Sequence, residues 1–478
     1  MAFLIGGANS AAETGFDVDN SCRFNDGDTA YMSSSFGTPT DAKKWTFSVW
    51  IKAGDLGVAD PNQSRTLLGA GSDGNNYCEL QLLQSDRHMS HTDYTSGSLT
   101  TSHRGSAMYR DPTAWSHHIF AYDSTQGTAA NRFKYYVNGA QISSFEATNY
   151  PDEDAEIQIN KSGVTFNLGR STPGANYYWD GYMAEVVFVD GTQYAASDFG
   201  EYDEDSPTIW KPKDVSTLTF GNNGFYLDFE DSSNLGNNAG SGLADLTENN
   251  LAATDQSTDT CTNNFNVMLA IMKQASNLTF SEGNLAVAYP SANTWRTIYS
   301  SIMPTAGKWY WEVKPTASAD RFVGIVGEAG VDNTDDSSLG VPATAYSIKE
   351  DGNKYNNNSS ASYGVSTTTN DIVGVAMDLD NGTVWFSKNG TWMNSATQAE
   401  VAAGTTTNAA YSSITVGATY PYGPAVAGKE SAAFSFNFGS PPYAISSGNA
   451  DGNGYGNFEY AVPGNFYSLC TKNLSEYA

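Results

Sequence analysis

The chain is poor in cysteine, histidine and positive charge. Only four cysteines, Cys22, Cys78, Cys261 and Cys470, stand in 478 residues. They are far apart and form no CxxC pair, which argues against a cysteine-ligated metal site and for free thiols made in a reducing cytosol. Lys and Arg total 24 against 52 Asp and Glu, a net charge of −28. No basic cluster exists to neutralise phosphates, so nucleic acid is excluded as a partner and an anionic membrane surface is disfavoured. The acidity favours solubility and keeps copies apart. No run approaches the roughly 18 apolar residues of a membrane span, so membrane insertion is not expected. The opening MAFLIGGANSAAETGF has no positive region and one four-residue apolar run, so a signal peptide is not expected either.

Aromatics, at 13%, are abundant, while charged residues make up only 16%. With Gly, Asn, Ser and Thr filling the rest, this composition reads as all-β, since disorder needs few aromatics and many charges. Five of the ten tryptophans fall in each half (Trp45, Trp50, Trp115, Trp179, Trp210; Trp295, Trp309, Trp311, Trp385, Trp392), as two cores of similar size would require. Residues 371–390, DIVGVAMDLDNGTVWFSKNG, carry the clearest pattern. Val373, Val375, Met377 and Leu379 alternate with their neighbours at the strand period of two. Asp380-Asn381-Gly382 turns the chain, Val384 and Phe386 share one face with Trp385 opposite, and Lys388-Asn389-Gly390 turns it again. In the first half, Trp45, Phe47, Val49 and Ile51 share a face, and Phe133, Tyr135 and Val137 alternate up to an Asn138-Gly139 hairpin turn.

The ordered pieces RFNDGDTAYM, WTFSVWIK, TLLGAG, WSHHIFAYD, NRFKYYVNGAQIS, FNLGR and YYWDGYMAEVVFVDGT resemble a LamG-like (concanavalin A-type jelly-roll) domain over 16–213. GKWYWEV, VGIVG, the 371–390 meander, YPYGPAV and FSFNFG occur in the order of SPRY domains, over 277–442. The expected organisation is a flexible arm at 1–15, serving as the docking end, then the LamG-like sandwich. A partly ordered Asn/Gly-rich bridge follows at 214–276, with Phe225, Leu227 and Phe229 packed on one domain. The SPRY-like sandwich and a tail at 443–478 complete it. SDFGEYDEDSPTIWKPK, GFYLDFEDSSNLG, STDTCTNNFNVML and VPGNFYSLCTKNLSEYA resemble segments of tailed-bacteriophage virion proteins. That resemblance implies a tail fibre or appendage on the virion surface, probing a host glycan or protein receptor. It also implies self-association, to a homotrimer by analogy, and contact with other virion proteins. A capsid decoration (head fibre) protein without receptor binding is the alternative, and a glycan hydrolase a lesser one.

Chemistry is harder to find. A glucanase needs two carboxylates a few ångströms apart on one sheet face. The acidic runs Glu201/Asp203/Asp205 and Asp152/Glu153/Asp154/Glu156 lie in loops beside Pro207 and Pro151 and read as solvated. Among His88, His91, His103, His117 and His118, the adjacent pair in a strand points to opposite faces and cannot share a metal. With no GxSxG, Walker A or Rossmann pattern present, catalysis is not expected, nor is a cofactor. Asp332, Asp335 and Asp336 are weak Ca²⁺ candidates without EF-hand spacing. For binding, Tyr177, Tyr178, Trp179 and Asp180 form a candidate glycan platform, with burial of Trp179 as the competing reading. Tyr346, Tyr355, Asn356, Asn357, Asn358, Tyr363 and Trp392 are the candidates in the loops of the second sandwich.

Overall fold

The computed structural model describes residues 15–54, 64–172, 177–272, 277–327 and 337–478. It is all-β, two sandwiches in tandem, and divides into one unit ending at Thr262 and another running from Asn263 to Ala478. Residues 1–14 of the expected arm lie outside the described residues.

In the first unit, two eight-stranded antiparallel sheets face each other. Lys44–Ala53 sits centrally in one, between Ser116–Asp123 and Gly181–Asp190. Its alternation decides its packing. Trp45, Phe47, Val49 and Ile51 enter the core between the sheets, while Trp50 enters a second apolar layer on the opposite face with Tyr182, Val187 and Phe220. The second sheet runs Phe145–Asn149, Ser98–Met108, His88–Thr95, Asn76–Leu83, Ser64–Asp73, Thr165–Leu168, Tyr31–Ser35, Thr247–Asn249. It contributes Leu68, Leu80 and Phe166 to the same core.

The bridge expected at 214–276 is for the most part built into this first unit. Phe225–Leu227 pairs with Gly181–Asp190, Gln256–Ser257 pairs with Ser21–Phe24, and Thr247–Asn249 extends the other sheet. Phe225, Leu227 and Phe229 are core residues here, since an apolar strand gains more by adding to a sheet than by staying in water. The joint is fastened by polar contact as well. Gly181–Asp190 shifts register after Ala184, where Glu185 takes φ 48, and the Tyr226 hydroxyl donates to a carboxyl oxygen of Glu185 at 2.8 Å.

The second unit pairs an eight-stranded sheet with a six-stranded one. The 371–390 meander lies in the larger, as Val373–Asp378 and Thr383–Lys388, with Val375 opposite Phe386 and Ala376 opposite Trp385. Of the first turn only Gly382 has positive φ; Asn389 and Gly390 both do at the second. Val375, Met377, Val384 and Phe386 face the six-stranded sheet's core, and Trp385 faces away. The supposed tail covers that far face. Phe458 and Phe466 pack with Tyr310, Trp385 and Trp392, and Tyr467–Ser468 adds a parallel strand beside Lys308–Pro315. Buried Glu312 fixes the cover. Its carboxylate accepts from the Tyr310 hydroxyl, Asn437 and the backbone N–H groups of Glu459 and Tyr460 at 2.8–3.1 Å.

Burial pushes the Glu185 pKa up to about 8, above the roughly 4.3 of an unfolded glutamate. The folded state therefore favours the protonated form. The stability this group contributes is complete below the unfolded value and is lost as pH rises through 8. His103 and His118, pushed down by burial to about 3, act only below the unfolded histidine value near 6.5. Urea melts between pH 6.5 and 8 should thus show stability falling by about 2 kcal/mol, and Glu185→Gln should flatten that fall. An identical pH profile in the variant would contradict the assignment.

Candidate functional site

The predicted binding residues do not converge. In the first unit, Trp179 is 0% exposed and belongs to the core, its backbone N–H bonded to the Gly169 carbonyl at 2.8 Å. Asp180 is 3% exposed and packed against Gly54. Neither can meet a sugar, because completing the core claims the large indole and its neighbour follows it inward. Tyr177 and Tyr178 stay half-buried, and Arg170 lies over the rings of Tyr31 and Tyr178. In the second unit, Tyr363 and Trp392 are both 7% exposed, the first against Phe386 and the second donating through Nε1 to Gln398 at 2.6 Å. Tyr346 packs edge-on against Tyr411, and Tyr355 stands perpendicular to Phe322. Asn356–Asn358 is no loose loop. Asn353–Asn356 and Ser359–Ser362 form a hairpin whose turn residues Asn357 and Asn358 are exposed at φ 50 and 56, as a two-residue turn requires.

The Ca²⁺ candidates Asp332, Asp335 and Asp336 lie outside the described residues, among which no cluster of three or more His, Cys, Asp or Glu could hold a metal. The histidines are buried, not surface groups; His91 and His103 stack on Phe133. The acidic runs are largely tied to bases, Lys211 between Glu201 and Asp203, Arg132 to Glu153, Lys43 to Asp154. One carboxyl escaped sequence reading. Glu79 points away from the core, beside Thr92 and Gly69, and burial pushes its pKa up to about 7. Glu146, at that sheet's edge, is three strand spacings off, about 14 Å between backbones. It is held by Arg104, so these two do not form a glycosidase pair.

What the structure does assemble is a cleft of about 430 Å³ at one end of the second sandwich. It is lined by Ser318, Ala319, Asp320, Arg321, Glu350, Thr367, Thr368, Thr369 and Glu430. Four connections build it, the turn after Ala345–Lys349 supplying Glu350 and three others the rest. The first leaves Lys308–Pro315 and ends where Arg321 opens the apolar strand Arg321–Gly327. The second is 364–371, where the Thr368 N–H and hydroxyl donate to Asp371, and Asn370 reaches back to the Pro315 carbonyl. The third is the turn after Tyr422–Gly428, with Glu430 and Ser431 at φ 53 and 68 and the Lys429 N–H on the Asp320 carbonyl.

Arg321 forms the wall. It is 3% exposed, donates to the carbonyls of Ala319 at 3.0 Å and Thr367 at 2.7 Å, and its Nε–H has no protein partner. Its backbone N–H donates to Glu350 at 3.0 Å. Lys429 lies 3.1 Å from Asp320, which it holds below the usual carboxylate range, and 3.6 Å from Glu430. The residues are dispersed in sequence, and no period marks loops. The only signals were an arginine heading an apolar strand and the run Thr367-Thr368-Thr369. The cleft sits at the end of the sheet where Arg321 pairs with Gly428, while Asn356–Ser359 turns at the other end.

Two family models match this architecture. Residues 26–196 match the concanavalin A-like lectin/glucanases superfamily, and residues 308–439 match the SPRY domain. The chain thus carries a LamG-like domain followed by a SPRY domain, two classes associated with binding and adhesion. Similar solved structures include the SPRY domain of human HERC1 (16% identity, 32% of this chain and 87% of that one, TM-score 0.25). A human SPRY domain is similar too (15%, 36% and 98%, 0.25), as is stonustoxin (21%, 36% and 27%, 0.27).

Trp179→Ala should lower folding stability by about 3–5 kcal/mol, as an emptied core site does. Asn357→Gly should change it by less than about 0.5 kcal/mol. Urea midpoints decide this; wild-type stability in the Trp179 variant would restore Trp179 as an exposed platform.

Proposed function

We propose that the chain is an adhesive structural component of a tailed-phage particle, a tail fibre or appendage that recognises a host-surface glycan or protein. The observation carrying the recognition part is the cleft, in which Asp320, Glu350, Glu430 and the hydroxyl residues Ser318 and Thr369 gather beside buried Arg321. Small-ligand sites are concave and use a few placed polar groups to fix the ligand's orientation. The particle setting is supported by the resemblance of the segments around 197–213, 224–236, 257–269 and 462–478 to phage virion proteins. Self-association to a trimer, attachment to other virion proteins and a place on the virion surface belong to the same proposal, as does a role without catalysis.

Gold-labelled antibody against the chain, applied to intact particles, tests the location. Label on the tail, together with blocked adsorption to cells, is the expected result. Label confined to the head would overturn the tail assignment in favour of capsid decoration, and absence of label would overturn the virion setting.

A further inference from the structure

We propose that the cleft takes a neutral, polyhydroxylated ligand, an uncharged sugar unit of a longer glycan; this rests on the recognition reading and narrows it.

Charge is the first argument. Asp320 and Glu430 share Lys429, Glu350 pairs with Lys349 at 3.1 Å, and neighbouring Asp371 pairs with Lys388 at 3.0 Å. An anionic ligand would meet the three carboxylates of the lining against the single guanidinium of Arg321. A cationic one would have to draw a lysine off its carboxylate, exchanging one ion pair for another with little gain. A neutral ligand disturbs neither balance.

Hydrogen-bonding character is the second. The wall offers the carboxylates of Asp320, Glu350 and Glu430, which only accept, and the hydroxyls of Ser318 and Thr369, which donate and accept, while the Thr368 hydroxyl is committed to Asp371. Sugar hydroxyls also donate and accept, so one ring can satisfy both kinds of neighbour, and bonds to charged groups are the stronger ones. Shape chemistry is the third. Ala319 is the one aliphatic side chain in the lining and no aromatic joins it. Protein partners draw most of their affinity from aromatic or aliphatic anchors in apolar pockets, and this cleft has none to offer. A single site of this kind binds weakly, which suits a protein displayed in several copies on one particle.

The test uses the full chain on a glycan array carrying neutral and acidic sugars, followed by titration calorimetry with the neutral glycan that gives signal. Variants are Thr369→Val and Glu430→Ala, with Arg321→Lys as a third. Glu430 is exposed and Thr369 half-buried, so folding survives the first two even if the arginine variant fails. The expected result is binding of neutral glycans by the wild type, weakened about tenfold in Thr369→Val and Glu430→Ala at unchanged melting temperature. Binding of acidic glycans alone, or neutral binding undiminished in both variants, would overturn the ligand assignment and leave recognition standing. Binding of no glycan by a chain that still adheres to host cells would overturn it in favour of a protein receptor. Loss of both glycan binding and adherence would overturn the recognition reading itself.

Discussion

Both sandwiches answer to one constraint: their central strands carry large apolar side chains on both faces. Trp45 and Phe47 alternate with Trp50-side residues in one, and Val384 and Phe386 flank Trp385 in the other. A two-layer sandwich would leave the second set in water, at a cost of about 2–3 kcal/mol for each large side chain. Each unit therefore recruits a third layer from its own chain, Phe199 and Phe220 with Tyr226 in the first, Phe458 and Phe466 in the second. The buried carboxyl groups of Glu185 and Glu312 are the polar fasteners of those layers, each kept under cover by the hydrogen bonds it accepts.

This covering has a functional consequence. Once a third layer occupies the outer face of the central strands, an indole that looked available for stacking becomes structural, as Trp392 did, while Trp179 is claimed by the core between the sheets. Recognition is then left to strand ends, where loops are free of packing duties. In the second unit one such end gathers the cleft around Arg321. The other carries the compact Asn357-Asn358 turn, whose residues are exposed.

How far the sequence was legible follows from the same physics. Strands whose side chains alternate were readable, because period two is written in consecutive residues: the 371–390 meander has its predicted faces, and Asn138-Gly139 does turn at φ 45 and 78. Segments 214–262 and 443–478 were less legible. Their short strands are scattered among Asn, Gly and Ser, and their value lies in what they cover, which only the fold reveals. Trp179 could be read either way, since an aromatic before a strand looks the same in sequence whether it faces in or out. The cleft was invisible, because Arg321, Glu350, Thr369 and Glu430 are brought together by sheet pairing alone.

The central claim is that recognition lies at the end of the second sandwich that holds Arg321. Hydrogen exchange on the full chain, with and without purified host-surface polysaccharide, tests it most directly. The account predicts added protection confined to amides at 316–322, 349–352, 366–371 and 428–432. Protection centred instead on 177–180 or on 355–359 would contradict it.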